Sequence, residues 1–388
     1  MPILFGVVLL DLIGFGIVIP ILPFLSPELG ADKFDIAMII SVYALGSGLC
    51  GPYWGKLSDR YGRKPIIMIC LAGAAVTYAM LAFAGELWQV YVARGLAGLM
   101  AGNLGVASAM MADITTPQNR ARGMGLIGAA FGLGLILGPL LGGLLSSPDS
   151  GFMIPCLAAG VMSLLAIVAA AIFLPESLPA GRRSSTTNAD TETIVAMLRR
   201  NKSRVLALQY VLHATCVSSV TYVVPLWFAD RLAWGPTEVG ILFGVQGGIM
   251  VALQGGALGA MVRLWGEIRL LQVSVTCFFV GMLCASMVDQ RWAMIAVVYI
   301  AMSGATLCMP LLNSIVSHRT TESDRGRMMG TTAAASSWGR VVGPLFAGAV
   351  LSLAGYSAAW LGCAAIASLY LFWALRQPRH VVTAASSD

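Results

Sequence analysis

Long runs of apolar residues alternate with short polar stretches along the whole chain. The runs neither alternate residue by residue, as in a half-buried strand, nor keep to one helical face. A helix needs about 20 apolar residues to cross a bilayer. Runs of that length cover residues 3–25, 35–57, 65–85, 87–112, 123–146, 152–174, 204–229, 237–262, 268–288, 291–316, 327–353 and 356–376. The pattern predicts an all-α polytopic membrane protein with twelve transmembrane helices.

Composition agrees with this prediction and excludes other classes. Of the 388 residues, 58% are apolar and 11% are charged, against about 45–50% and about 25% in soluble domains. A soluble enzyme, a disordered chain and a nucleic-acid binder are therefore not expected. The sequence contains no Walker loop, GxSxG or HExxH motif, so no enzyme activity is predicted. The eight cysteines lie within apolar runs without a CxxC, which predicts neither a metal site nor a disulfide framework.

The net charge of +6 is distributed unevenly between the connections. One alternate set of connections holds 19 basic residues and the other holds only Lys33, Arg231 and Arg291. Cytoplasmic loops carry the excess of Lys and Arg. We therefore expect a cell (inner) membrane protein with both termini in the cytoplasm, in which the basic residues orient the chain and do not bind nucleic acid.

The two halves of the chain repeat each other at a nearly constant offset. Thr115-Thr116-x-x-x-Arg120-x-Arg122 recurs 205 positions later as Thr320-Thr321-x-x-x-Arg325-x-Arg327, and Gly55-x6-Gly62 recurs 204 positions later as Gly259-x6-Gly266. Parallel repeats of this kind suit a transporter with its substrate site between halves. The predicted organisation is two pseudo-symmetric six-helix bundles, residues 1–176 and 204–376, with a linker at 177–203 and a tail at 377–388.

The connection after the second run carries a motif. It reads Gly55-Lys56-Leu57-Ser58-Asp59-Arg60-Tyr61-Gly62-Arg63-Lys64. Its glycines allow a tight turn, and Asp59 can face a helix N-terminus, where the helix dipole favours an anion. The segment resembles the G-x-L-x-D-R-x-G-R-K signature loop of the major facilitator superfamily.

Further motifs resemble those of the twelve-helix drug:proton antiporters of that superfamily. Leu10-Asp11 resembles the first-helix motif, and Arg94-Gly95-Leu96-Ala97-Gly98 is similar to the fourth-helix basic motif. The fifth-helix antiporter motif is matched by Gly125, Gly134, Gly138, Pro139, Gly142 and Gly143. The resemblance implies the major facilitator fold and export of small molecules by alternating access, driven by a proton gradient without a cofactor.

Asp11 and Arg94 lie inside predicted spans, where a charge costs at least about 2.5–3.5 kcal/mol. Each is therefore expected to face a cavity or a partner. A desolvated carboxylate holds a proton more readily than one in water, so Asp11 is predicted to carry the proton. The resemblance implies that Arg94 tunes this step. A permanent structural pairing of either residue remains an alternative.

At the cytoplasmic end, Asp113 is expected to pair with Arg60 or Arg63. The resemblance implies that this pair, with Asp59 and the signature loop, latches the outward-open state; a loose surface ion pair is the alternative. Gly134, Gly138 and Gly142 recur every four residues and share one helical face. They predict close helix packing, kinked at Pro139, and no ligand role.

Six other polar residues in the spans are candidates for the cavity. They are Asn103, His213, Gln246, Gln254, Asn313 and Arg340. A membrane-embedded arginine needs a carboxylate, a carbonyl end or an anionic ligand, and histidine titrates near neutral pH. Structural hydrogen bonds between helices explain all six equally well.

The sequence also resembles the tetracycline exporters but departs from them at three positions. Those exporters carry an acid, a histidine and another acid where this chain has Thr77, Met250 and Thr276. Export of a tetracycline–metal complex by that route is therefore not expected. The function indicated is a monomeric proton-coupled exporter of amphipathic drugs within the bilayer; the alternatives are an exporter or facilitator of a specific metabolite, such as a sugar or lysolipid, and a transport-inactive receptor.

Overall fold

A computed structural model describes residues 1–116, 119–146, 152–178, 201–320 and 322–377, with the side chains of 120–122, 201–202 and 322–327 left undescribed. Within these ranges the chain is helical and contains no strand. The helices are α1 Pro2–Val18, α2 Leu22–Glu28, α3 Lys33–Tyr61, α4 Arg63–Ala82, α5 Leu87–Met100, α6 Asn103–Asp113, α7 Arg120–Leu145, α8 Met153–Phe173, α9 Asn201–Leu232, α10 Pro236–Val251, α11 Leu258–Trp265, α12 Glu267–Ala285, α13 Arg291–Arg319 and α14 Glu322–Leu375.

The described helices account for the twelve predicted spans. Ten segments are long and apolar enough to cross a membrane, and the pair α1 and α2, bent by 46°, makes an eleventh. The 54-residue α14 is too long for one crossing. It is interrupted at Gly355, where φ is 80° and ψ is −175°, so it contains two spans. The prediction of an all-α polytopic membrane protein is confirmed.

The chain divides into two compact units. Among described residues the first unit holds 1–178 and 233–248, and the second holds 201–232 and 249–377. The short segment 233–248 belongs to the first unit because α10 packs on α7, where a Cβ at Gly143 would lie 2.6 Å from the carbonyl oxygen of Pro236. The predicted tail and most of the predicted linker lie outside the described residues, and the domain boundaries stay predictions.

Each unit has its own apolar core. In the first unit, buried residues of α1, α4, α6 and α8 pack together, among them Leu4, Cys70 and Met110. In the second unit the core joins α9, α12, α13 and α14, with Tyr210 and Leu271 at its centre. Polar groups within either unit are thereby held on rigid helices rather than on loops.

Two glycines end helices in the same way in the two units. Gly62, between α3 and α4, has φ 108° and ψ 156°, and Gly266, between α11 and α12, has φ 75° and ψ 158°. The N–H of Gly62 donates to the carbonyl of Ser58, and that of Gly266 donates to the carbonyl of Val262. Only glycine adopts this backbone region readily, so the repeated glycine of the sequence corresponds to a repeated turn.

Candidate functional site

Asp11 lies in α1, half-buried, next to a break in the fourth span. The carboxylate makes a side-chain hydrogen bond with Asn103, the first residue of α6. The helix is interrupted at Ala101, with φ −78° and ψ 58°, and restarts after Gly102. The predicted proton carrier therefore faces the start of a helix, and one predicted cavity residue, Asn103, is its direct partner.

Trp54 of α3 supports the break. Its indole Nε1 donates to the carbonyl of Leu99 at 2.6 Å, and a Cβ at Gly102 would lie 2.5 Å from the Trp54 side chain. The glycine is needed because the ring occupies the space of a side chain. The interruption beside Asp11 is thus held in place by packing, and it leaves N–H groups at the start of α6 without intrahelical acceptors.

Arg94 lies in α5 and is 5% exposed. Its guanidinium carbon lies 4.3 Å from the centre of the Tyr43 ring, a cation–π contact that favours a desolvated cation. Its Nε has no hydrogen-bond partner among the described residues. Tyr78 of α4 interacts electrostatically with both Asp11 and Arg94. A permanent cation and a protonatable acid therefore share one aromatic environment inside the first unit.

Arg63 organises the end of the same unit that carries the signature loop. Its Nη1 lies 2.7 Å from Oδ1 of Asp59, and its Nε lies 3.1 Å from Oδ2 of Asp113. Nη1 also donates to Oγ of Ser58 at 2.6 Å. We call Ser58, Asp59, Arg63, Asp113 and Glu176 the signature-loop cluster. Asp113 thus forms its ion pair with Arg63 and not with Arg60.

Arg60 lies elsewhere, although it belongs to the same motif. Its guanidinium carbon is 5.4 Å from the ring centre of its neighbour Tyr61, and the side chain is exposed. The predicted gate therefore assembles around Asp59, Arg63 and Asp113, while Arg60 lies on the surface. Lys64 donates from Nζ to the carbonyl of Ala171 at 2.8 Å.

Glu176 is a member of the cluster that sequence reasoning did not select. Its Oε1 accepts from the backbone N–H of Arg63 at 2.9 Å, and its Oε2 accepts from that of Lys64 at 3.1 Å. The carboxylate thus caps α4, where the helix dipole favours a negative charge. Ser177 Oγ adds a hydrogen bond to Asp113 at 3.2 Å. The signal available was Leu174-Pro175-Glu176-Ser177, the typical end of the sixth helix.

The glycines of the antiporter motif fall into three groups. Gly134, Gly138 and Gly142 pack against Leu12, Gly16 and Ile17 of α1; Gly143 packs against Pro236; and Gly125 faces open space. Pro139 lies within this seam, and a Cβ at Gly16 would lie 3.1 Å from its Cδ. The seam places α1, and with it Asp11, against α7.

Four of the other cavity candidates differ in their surroundings. Gln254 donates to the carbonyl of Thr306 at 2.9 Å, and Asn313 accepts from Tyr210 at 2.8 Å. Gln246 is buried, and neither atom of its amide has a hydrogen-bond partner among the described residues. Arg340 donates to Oγ of Ser337 at 2.9 Å on an exposed face of α14.

Two of the three residues at the positions where the resemblance places charged groups use their hydroxyl hydrogens within their own helices. The Thr77 hydroxyl donates to the carbonyl of Ala74 at 2.9 Å, and the Thr276 hydroxyl donates to the carbonyl of Gln272 at 2.7 Å. Both bonds lie within one helix and leave no hydroxyl hydrogen for a ligand.

The sequence of the chain is similar to those of known membrane proteins. The sequence profile described as Major Facilitator Superfamily matches residues 4–320 and 206–387. The chain is 31% identical over 379 residues to the tetracycline resistance protein, class C, of Escherichia coli, covering 95% of this chain and 94% of that protein. It is 27% identical over 400 residues to major facilitator superfamily domain-containing protein 10 of Homo sapiens, covering 90% and 87%.

Solved structures share the fold. The crystal structure of the human organic anion transporter MFSD10 (TETRAN) superposes with a TM-score of 0.75 at 24% identity, covering 96% of this chain and 98% of that one. The nucleoside transporter NupG gives 0.76 at 13% identity, covering 97% and 98%. Both structures are of transporters, and the likeness shows that this chain shares their fold.

Proposed function

The chain belongs to the Major Facilitator Superfamily and resembles its drug:proton antiporters, and on this premise we propose that it exports amphipathic small molecules in exchange for protons. It is a multi-pass membrane transporter of this family. The proton coupling, the direction of transport and the class of substrate are our proposal. The proton gradient alone would drive transport, with no cofactor, by a monomer in the cytoplasmic membrane with both termini inside.

The observation that carries the proposal is the placement of Asp11. A carboxylate inside a span is costly unless it is neutral, paired or facing water. Asp11 has a polar partner in Asn103 and a buried cation, Arg94, in the same aromatic environment. Such a group can hold a proton in one state of the cycle and release it in another, because its surroundings change when the helices move.

The signature-loop cluster supports alternation between states. Asp59, Arg63, Asp113 and Glu176 tie α3, α4, α6 and the end of α8 together through charge-assisted hydrogen bonds. Such bonds are roughly twice as strong as neutral ones. We propose that they stabilise one conformation and break when the protein opens to the cytoplasm.

The substrate class is inferred from relatives and from the spans. Tetracycline resistance proteins of six classes are 28–31% identical to this chain, which supports drug efflux. Thr77, Met250 and Thr276 supply no charge to hold a metal complex, so we propose organic amphipathic substrates without metal. The 20 methionines offer polarisable, adaptable surface for such molecules.

Reconstitution into liposomes with an imposed pH gradient tests the proposal. Addition of ethidium to the cytoplasmic side should release protons from wild-type vesicles, and Asp11→Asn should markedly reduce this release. Asp289→Asn, which removes a carboxylate from an exposed connection, is the matched control and should behave as wild type. Asp11→Asn transport with undiminished dependence on the pH gradient would contradict the role of Asp11.

A second candidate is export of one specific organic metabolite. Two observations favour it. The chain is 27–29% identical to major facilitator superfamily domain-containing protein 10, and it shares the fold of the human organic anion transporter MFSD10. Competition decides between the two: several unrelated dyes that displace one another indicate a drug exporter, whereas one displacing compound class indicates a metabolite carrier.

A further inference from the structure

The packing of glycines fixes the correspondence between the two units more finely than the sequence motifs do. Gly134 of α7 packs against the Cβ of Leu12, and Gly339 of α14 packs against the Cβ of Ala214. The two glycines are 205 positions apart, whereas their two partners are 202 positions apart. Residues of the first span therefore correspond between the two halves at an offset of 202, which is three positions less than the offset of 205 between the motif glycines.

The next glycines give the same shift. Gly138 packs against the carbonyl oxygen of Ile13, and Gly343 packs against the carbonyl oxygen of Thr215. Again the glycines differ by 205 positions and the partners by 202. Since two glycines on each helix agree, one turn apart, the offset of 202 holds for this stretch of α1 and α9.

Applied to Asp11, this offset gives His213. Asp11 immediately precedes Leu12, and His213 immediately precedes Ala214, so each titratable side chain has the same relation to its glycine seam. Adding the motif offsets of 204 and 205 to the position of Asp11 gives Thr215 and Cys216, not His213. The correspondence exists in the packing and not in the sequence alignment.

His213 lies buried in the second unit beside an aromatic ring. It is 8% exposed, and its ring centre lies 6.0 Å from that of Tyr370 in an edge-on arrangement. Tyr370 interacts electrostatically with Cys308 of α13. One turn along α9, the Tyr210 hydroxyl donates to Oδ1 of Asn313 at 2.8 Å.

The titratable groups near His213 are weak acids, namely phenols and thiols. From α14 the ring of Tyr370 faces it edge-on, and Tyr370 interacts electrostatically with the Cys308 thiol of α13. On its own helix, Tyr210 and Cys216 each lie three positions from it along the sequence. Among residues whose side chains are described, no Asp, Glu, Lys or Arg acts electrostatically on the imidazole. A proton on His213 therefore introduces a new, unpaired charge.

We propose that His213 is a second proton-binding site of the transport cycle, the equivalent in the second unit of Asp11 in the first. The inference rests on the proposed proton-coupled export. Neutral imidazole accepts one proton and becomes a cation, whereas ionised Asp11 accepts one and becomes neutral. Each half would thus carry one proton, and two protons would enter per exported molecule.

The test is the dye gradient that a fixed pH gradient sustains in liposomes, with the membrane potential clamped at zero. One pH unit corresponds to about 1.36 kcal/mol per proton, so each coupled proton multiplies the sustained ethidium gradient about tenfold. Wild-type protein should sustain a gradient of about 100-fold, and His213→Gln should sustain one about tenfold smaller. His318→Gln, the same exchange at a half-exposed site, is the matched control and should equal wild type.

Equal gradients for wild type and His213→Gln would overturn the inference while leaving proton-coupled export intact. A wild-type gradient that ignores the pH gradient would overturn both. Should His213→Gln fail to fold, the double variant His318→Gln, His380→Gln retains His213 as its only histidine, because the chain has three. Nitrogen-15 spectra of that variant should show the ring gaining a proton on acidification in the absence of ethidium; a ring that stays neutral from pH 8.5 to pH 5 overturns the proposal.

Discussion

Two arginines three positions apart in one motif have different surroundings. Arg63 begins α4 directly after the turn at Gly62, and that turn directs its side chain toward Asp59 and Asp113. Arg60 is still part of α3 and extends along the surface over Tyr61. Residue type and motif position are therefore insufficient to assign a role, because the helix on which a side chain starts decides what it contacts.

Replacing these two arginines separates their roles. We expect Arg63→Gln to lower the free energy of unfolding by about 1.5–3 kcal/mol, the value of hydrogen bonds to charged groups. Arg60→Gln is the matched control and should change it by less than about 0.5 kcal/mol, as a surface substitution does. Thermal unfolding in detergent measures both. Equal losses for the two variants would contradict the assignment of Arg63 as the centre of the cluster.

Helices α1 and α7 approach each other so closely because glycine replaces larger residues at the contact. A Cβ at Gly138 would lie 2.5 Å from the Cα of Gly16, while at Gly125 nothing lies within 4 Å of a Cβ. Close backbone approach through small residues is the usual basis of helix association in membranes, where lipid removes the hydrophobic driving force. The antiporter motif therefore contains a packing seam against α1, a contact of Gly143 with Pro236, and one residue, Gly125, outside both.

Alanine substitutions test this division of the motif. Gly138→Ala should cost about 1–3 kcal/mol, since an added methyl group in a filled seam forces neighbouring atoms apart. Gly125→Ala should leave stability unchanged or slightly raise it, because alanine favours the helix over glycine by about 1 kcal/mol. The yield of monodisperse protein and its melting temperature report both effects. A loss of stability in Gly125→Ala as large as that in Gly138→Ala would contradict this division, because it would show that an added methyl group destabilises the protein even where the structure leaves space for it.

At the scale of the whole molecule, the arrangement of basic connections predicts one orientation. Lys56 lies in the set of connections that holds 19 basic residues, and Asp289 lies in the other set. Both residues are exposed. All eight native cysteines lie within predicted spans. The two connections should therefore be distinguishable by labelling from opposite sides of the membrane.

A membrane-impermeant maleimide applied to intact cells measures the orientation. Asp289→Cys should react in intact cells, whereas Lys56→Cys should react only after the membrane is opened. The unsubstituted chain provides the background, which matters because Cys284 is exposed on its helix. Labelling of Lys56→Cys in intact cells would reverse the assignment of the termini to the cytoplasm.

The sequence by itself determined the class of fold, the twelve spans and the family, and these are confirmed. It could do so because the cost of burying polar backbone in lipid forces each crossing to be a long apolar helix, a pattern that is local along the chain. The signature loop and the repeated glycines are also local, so their positions could be read directly.

Only the tertiary structure decided which of those residues meet. Glu176 caps α4 across 113 positions, Arg63 rather than Arg60 takes Asp113, and His213 rather than Thr215 corresponds to Asp11. Each result depends on the rotation and shift of one helix against another, which side-chain packing sets over long sequence separations. Apolar periodicity fixes that a helix crosses the membrane but leaves its rotation and its neighbours open.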